Sequence, residues 1–226
     1  MSRVEGLEVL LIAAAPLAGA AAGMVVDRYP APDQDETCAA GSEEIRSVLL
    51  RSLHPGIEIT CTTTAVVAAF ALSAPLSLVA AGLSWVLLIL TLIDLRYLEV
   101  PDAISLPLIL AGLATTWWIK PQAVLEHAVA AAGAATAIWL LGEAFRRLRG
   151  VAGIGGGDVC LFAAAGAWVG LAALPTVVFL SGIFGLIAAS LLVKLGWVAW
   201  RDHIPFVPAI SAALWTVFLI PEQAWP

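Results

Sequence analysis

The chain has 226 residues, 61% of them apolar and 12% charged, with a net charge of −6 and a mean hydropathy of +0.96. Soluble domains average about 45–50% apolar and about 25% charged residues, so this chain lacks the charge to coat a water-facing globule. Three scattered cysteines (Cys38, Cys61, Cys160) exclude a secreted disulfide scaffold, and 11 basic against 17 acidic side chains argue against a nucleic-acid partner. What remains is an all-α fold, a polytopic helix bundle with the lipid bilayer as its solvent.

A span takes roughly 20 apolar residues to cross about 30 Å of hydrocarbon. Leu7–Val26 is the first. Its run Gly19-Ala-Ala-Ala-Gly23 continues unbroken through Met24-Val-Val, which favours a retained helix over a cleaved signal peptide. A polar stretch follows at about 27–60, rich in turn formers (Pro30, Pro32, Gly41, Pro55, Gly56), and reads as an aqueous loop with at most a short amphipathic helix around Glu43–Leu53. Thr62–Ile93 is nearly uncharged, too long for one span and short for two; Pro75 and Gly82 predict a break that makes two helices. Further spans are expected at Ala103–Ile119, Ala123–Phe145, Val159–Leu174, Thr176–Trp200 and Val207–Ile220, about eight in all within a single domain over 1–226. With eight spans, Arg28, Arg46, Arg51, Arg96, Arg146, Arg147, Arg149 and Arg201 share one side, while Arg3 and Lys120 take the other. The positive-inside rule makes the first side cytoplasmic and places both termini opposite.

Ionisable groups at the hydrocarbon edge cost about 2.5–3.5 kcal/mol each on insertion scales, so each needs a reason. Glu126 and His127 open a span, where the helix N-terminus suits the carboxylate. Glu143 stands at ion-pair spacing from Arg146 and Arg147. Asp94 and Asp158 differ: the first closes the apolar run 85–93, the second opens the run 159–163, and the topology puts both at the cytoplasmic edge. Asp158 follows Gly153-Ile-Gly-Gly-Gly157, a loop with almost no side chains. Spacing alone leaves it either a helix N-cap or half of a functional pair.

Two carboxyls sharing one partly dry site hold a single proton between them. One then acts as base while the other donates, which is what activation of water against an amide carbonyl requires, with no cofactor and no covalent intermediate. The three histidines (His54, His127, His203) are not spaced as metal ligands, no CxxC or HExxH occurs, and no GxSxG supports a serine mechanism. A small transporter or channel with cation-binding carboxylates stays open at this level, although no half-to-half repeat is visible.

The residues around both aspartates resemble the type IV prepilin peptidase family, aspartic intramembrane peptidases with a GxGD motif. Ile93-Asp-Leu-Arg-Tyr-Leu-Glu-Val-Pro-Asp102, with Ser105-Leu-Pro107 and Ala111-Gly112, is similar to the family's first aspartate segment. Gly155-Gly-Gly-Asp158, followed by Ala165-Gly-Ala-Trp-Val-Gly170, is similar to the second. Ile204-Pro-Phe-Val-Pro-Ala209 resembles the Pro-Phe-Gly-Pro segment before the last helix, and Gly19 through Arg28-Tyr-Pro30 the end of the first span. The resemblance implies that Asp94 and Asp158 are catalytic and that Asp102 has a supporting role; the glycines Gly155, Gly156 and Gly157, with almost no side chains around them, are expected to expose amide groups along which a substrate backbone extends. It further implies prepilins or pseudopilins as substrates, each a short basic leader running into a hydrophobic helix, cut at the cytoplasmic face of the bacterial inner membrane.

The chain also departs from the family. Many members carry two CxxC pairs in the first cytoplasmic loop, associated with N-methylation; here that loop holds Cys38 alone before Cys61, so four thiolates cannot assemble and the methyltransferase half is not expected. Cys160 replaces a usual lysine, Ala152 an acidic residue, Gly23 an asparagine and Val207 the middle glycine of Pro-Phe-Gly-Pro. These departures keep a non-cutting, pilin-binding relative in view. The loop's seven acids (Asp27, Asp33, Asp35, Glu36, Glu43, Glu44, Glu58) against three arginines suggest either a solvated face or attraction for a basic leader.

Overall fold

The computed structural model describes residues 3–29, 56–150, 153–195 and 204–220. Among these it is all-α, with seven helices: α1 (Arg3–Arg28), α2 (Gly56–Ala71), α3 (Leu76–Tyr97), α4 (Asp102–Ile119), α5 (Val124–Arg149), α6 (Gly156–Lys194) and α7 (Val207–Phe218). Five apolar stretches of this run are long enough to cross a membrane: Glu8–Arg28, Leu76–Tyr97, Asp102–Ile119, Pro121–Arg149 and Gly156–Lys194; α2 and α7 are apolar but shorter. Large apolar side chains such as Phe70 and Leu148 are 88% and 83% exposed, a surface suited to lipid rather than water. The chain is a polytopic helical membrane protein. Cys38, His54, His203, Arg201 and the expected helix at Glu43–Leu53 lie outside the described residues, as do five of the loop's seven acids.

The helices group into two compact units, Met1–Leu98 and Glu99–Pro226. In the first, α1, α2 and α3 pack against one another through small residues, with Ala15, Ala22, Cys61, Ala65, Ala68, Ala80 and Ala81 all buried. Small side chains let helix backbones close up where lipid gives no hydrophobic drive for association. Two polar contacts add to this: Ser84 Oγ donates to Thr64 Oγ1 at 3.0 Å, and Trp85 Nε1 donates to the Cys61 carbonyl at 3.4 Å. The polar stretch expected as loop at 27–60 is helical at both ends, since α1 runs to Arg28 and α2 starts at Gly56. Threonine hydroxyls explain the early start of α2. Thr60, Thr62 and Thr63 each return a hydrogen bond to the carbonyl four residues back, satisfying their own polarity within the helix. The break before α3 falls at Pro75 as expected, whereas Gly82 sits inside α3 with open space beside it.

In the second unit α6 packs against α4, α5 and α7. Its 39 residues would span about 58 Å if straight. The sequence predicts separate spans meeting at Pro175; the backbone instead departs from helix at Gly170 (φ 72°, ψ −177°), a region open in practice only to glycine. Pro175 stays inside the segment that follows. The pieces 156–169 and 171–194 measure about 21 Å and about 36 Å at 1.5 Å per residue.

Candidate active site

Asp94 lies in the last turn of α3 and is buried, 6% exposed, beside Leu90, Leu92 and Ile93. Its backbone carbonyl accepts the N–H of Leu98 at 2.8 Å, closing the helix with Leu98 in the left-handed region (φ 55°, ψ 34°). A leucine is strained there, by about 1–2 kcal/mol relative to ordinary helix, so the helix end carrying Asp94 is over-determined by its surroundings. Those surroundings come from the end of α1. Arg96 pairs with Asp27 at 2.9 Å, the rings of Tyr29 and Tyr97 lie 5.6 Å apart, and Tyr97 Oη donates to the Tyr29 carbonyl at 3.5 Å.

Asp158 sits at the opposite kind of helix end. Gly155 is the N-cap of α6, with extended backbone (φ −76°, ψ 152°), so Asp158 is the third helical residue and not the cap that its position before an apolar run suggests. Its carboxylate lies close to Gly155: a Cβ on that glycine would stand 3.7 Å from Asp158 Oδ2. Gly155 and Gly156 are exposed, leaving bare backbone beside the carboxylate. Gly157 is different: a Cβ there would fall 2.4 Å from Val100 Cβ. That contact seats the start of α6 directly on residues 99–101, and only the missing side chain permits it.

Asp102 is exposed in the first turn of α4, after the buried N-cap residue Pro101, where an acid complements the unpaired N–H groups. The second unit thus brings Gly155, Gly156, Gly157 and Asp158 together and places Val100 against Gly157, while Asp94 is held within the first unit. Glu143 forms the ion pairs its spacing predicts: Arg146 grips it with two bonds of 2.8 Å, and Arg147 Nε donates at 2.7 Å. Among the described residues no group of three or more His, Cys, Asp or Glu side chains could hold a metal ion.

His127 has a role its sequence position concealed. Glu126 is exposed at the start of α5 as expected, but His127 turns inward to the break in α6. Its Nδ1 lies 2.9 Å from the Ala167 carbonyl and 3.2 Å from Thr116 Oγ1. A carbonyl only accepts, so Nδ1 carries the proton. In an unbroken helix the Ala167 carbonyl would take the N–H of Leu171, just past the break, and His127 supplies a donor in that place. Trp168 braces the same region, donating Nε1 to the Leu108 carbonyl at 2.9 Å and meeting the Phe218 ring edge-on at 5.5 Å. The signal available beforehand was the cluster Gly166-Ala-Trp-Val-Gly170, which marks close helix contact without naming the partner.

Residues 81–190 match the profile described as the type IV leader peptidase family. The chain is 36% identical over 142 residues to the prepilin leader peptidase/N-methyltransferase of Neisseria gonorrhoeae, covering 62% of this chain and 47% of that protein. Its counterparts of the same name from Aeromonas salmonicida strain A449 and Pseudomonas putida are 35% and 33% identical over 172 and 177 residues. These alignments cover 74% and 76% of this chain against 57% and 60% of the relatives. The chain therefore spans about half to three fifths of the length of the curated relatives it matches, and no solved structure matches it. The matched segment holds the end of α3, residues 99–101 and the glycine-capped start of α6, and over it the chain is similar to the type IV leader peptidase family.

Proposed function

We propose that the chain is a prepilin leader peptidase, with Asp94 and Asp158 as its catalytic pair and residues 1–226 acting as one peptidase domain. The observation that carries this reading is the family match over 81–190, which contains both aspartates. Three features of the site support it. Asp94 is a buried acid on a membrane helix, and ionisable groups in such positions are rare and mark functional sites by default. Gly155 and Gly156 leave backbone amides open to an extended substrate strand beside Asp158. Val100, which rests on Gly157, follows Asp94 by only six positions in the chain.

The proposed chemistry needs the two carboxyls near enough to share a proton. One takes a proton from a bound water as its oxygen attacks the scissile carbonyl carbon; the other gives its proton to the carbonyl oxygen. The resulting gem-diol collapses: one of its hydroxyl protons returns to the carboxylate that gave up its proton, the C–N bond breaks, and the other carboxyl protonates the leaving amine, so the pair ends as it began, with one proton. No metal and no covalent intermediate is required.

The substrate class is a type IV prepilin or pseudopilin, cut between its basic leader and its hydrophobic helix. We place the carboxyls at the cytoplasmic face of a bacterial inner membrane, the chain crossing about eight times with both termini periplasmic. That arrangement follows from the arginine asymmetry and treats the two pieces of α6 as separate crossings. Only the peptidase half of the relatives' printed name is extended to this chain, because residues 27–60 carry a single cysteine, Cys38, where a tetrahedral thiolate site needs four.

Co-expression with a prepilin bearing a basic leader tests the reading, with trimming followed by electrophoretic shift and by mass of the mature N-terminus. Trimming by the unmodified chain, lost in both Asp94→Asn and Asp158→Asn, is the expected result. An Asn variant that trims at the unmodified rate removes its aspartate from the catalytic pair.

A further inference from the structure

Beside the start of α6, inside the second unit, lies an open groove of about 240 Å³. One wall is Ile138, Trp139 and Gly142 of α5; the other is Ile154, Gly156 and Val159. Gly156 and Val159 flank Asp158 in the first turn of α6, so the groove lies within one helical turn of that residue. Sites for drug-sized ligands run about 300–1,000 Å³; this one has room for a single large side chain.

Its walls are apolar and its mouth is charged. Glu143 and Arg146 also line the groove, and Glu143 is held by both Arg146 and Arg147. Two arginines against one glutamate leave this mouth without spare negative charge for a cationic leader, so the apolar side of the cut is the part of a substrate that fits the apolar walls. Gly142 sets the depth. A Cβ on it would stand 3.3 Å from Ile154 Cβ, so even one methyl would crowd the facing wall.

We propose that this groove is the subsite seating the apolar side chain immediately on the membrane side of the scissile bond, with Gly142 and Trp139 setting the size it accepts. This rests on the leader peptidase reading above. Gly142→Leu fills the groove from its floor. Trp139→Ala widens it and removes a side chain already 58% exposed, so it disturbs little internal packing.

The experiment uses the full chain in membranes and four co-expressed precursors that differ only in the residue after the cut: Ala, Leu, Phe or Trp. Rates are compared as ratios within each variant, after correction for its amount in the membrane. A change of about one methylene in an apolar pocket is worth about 10-fold or more in discrimination. Gly142→Leu is therefore expected to lower the Phe:Ala ratio about 10-fold or more, and Trp139→Ala to raise the Trp:Ala ratio by a similar factor. If both variants scale all four precursors alike, the groove is not this subsite, although the peptidase reading stands. If the unmodified chain trims none of the four, the peptidase reading fails and the subsite with it.

Discussion

The two aspartates are presented by helix ends of opposite construction. The end of α3 offers carbonyl oxygens, and side chains hold it: Arg96 on Asp27, Tyr97 on Tyr29, with Asp94 itself inside the apolar packing. The start of α6 offers N–H groups, and missing side chains shape it, with Gly155 beside the Asp158 carboxylate and Gly157 pressed onto Val100. The contrast teaches where each acid is vulnerable. Flexible side chains can readjust when one partner is lost, whereas a close approach at a bare helix start cannot admit a single added methyl.

Substitutions that sharpen this comparison can be ranked by size. Asp94→Asn and Asp158→Asn should each lower trimming about 10²–10⁴-fold, the usual worth of a positioned general acid or base. The double variant should be little worse than the poorer single one, because residues acting as a unit are not additive; multiplied losses would break the shared-proton scheme. Gly157→Ala comes next, with overpacking against Val100 costing about 1–3 kcal/mol, read as a lower Tm in detergent. Gly156→Ala, with nothing within 4 Å of the new Cβ, should leave Tm unchanged, and equal losses at both glycines would refute the Val100 contact. Combining Val100→Ala with Gly157→Ala should recover part of the deficit.

Smaller effects follow. His127→Ala leaves the Ala167 carbonyl without its donor and should cost about 1 kcal/mol, the order of a polar contact between membrane helices. His127→Asn, which keeps an N–H donor, should recover some of that. The smallest loss is expected at the side-chain clamp of α3. Arg96→Ala removes an ion pair whose partners are 32% and 63% exposed, so solvent screening holds the effect to about 0–1 kcal/mol. That loss should shrink further in high salt; a larger, salt-independent one would mean the clamp works through packing.

Much of the helical plan was legible because hydrocarbon admits few alternatives. An apolar run must satisfy every backbone group internally, so it becomes a helix wherever it is long enough. The runs opening at Leu76, Asp102, Val124 and Val207 follow that rule closely. Element ends were less legible where side chains complete a helix against its composition, as the threonines do at the start of α2. Pro175 misled for a related reason: one missing N–H can be absorbed near a helix start, while the backbone at Gly170 is forced by packing around His127 and Trp168. Glu143 was readable because its partners lie one turn away on the same helix.

Composition and local order alone determined that this is a multi-pass membrane protein, roughly where most of its helices run, that Asp94 and Asp158 fall at helix ends, and that a glycine loop precedes Asp158. Tertiary structure alone decided that Asp158 is the third residue of its helix, that Gly157 meets Val100, that His127 serves the break at Gly170 and that a groove opens beside Gly142. The physical reason is range. Burial and backbone satisfaction act on each segment separately and leave their mark in its own residues. A contact between helices depends on which small residues happen to face one another, and neither strand of sequence carries that information alone.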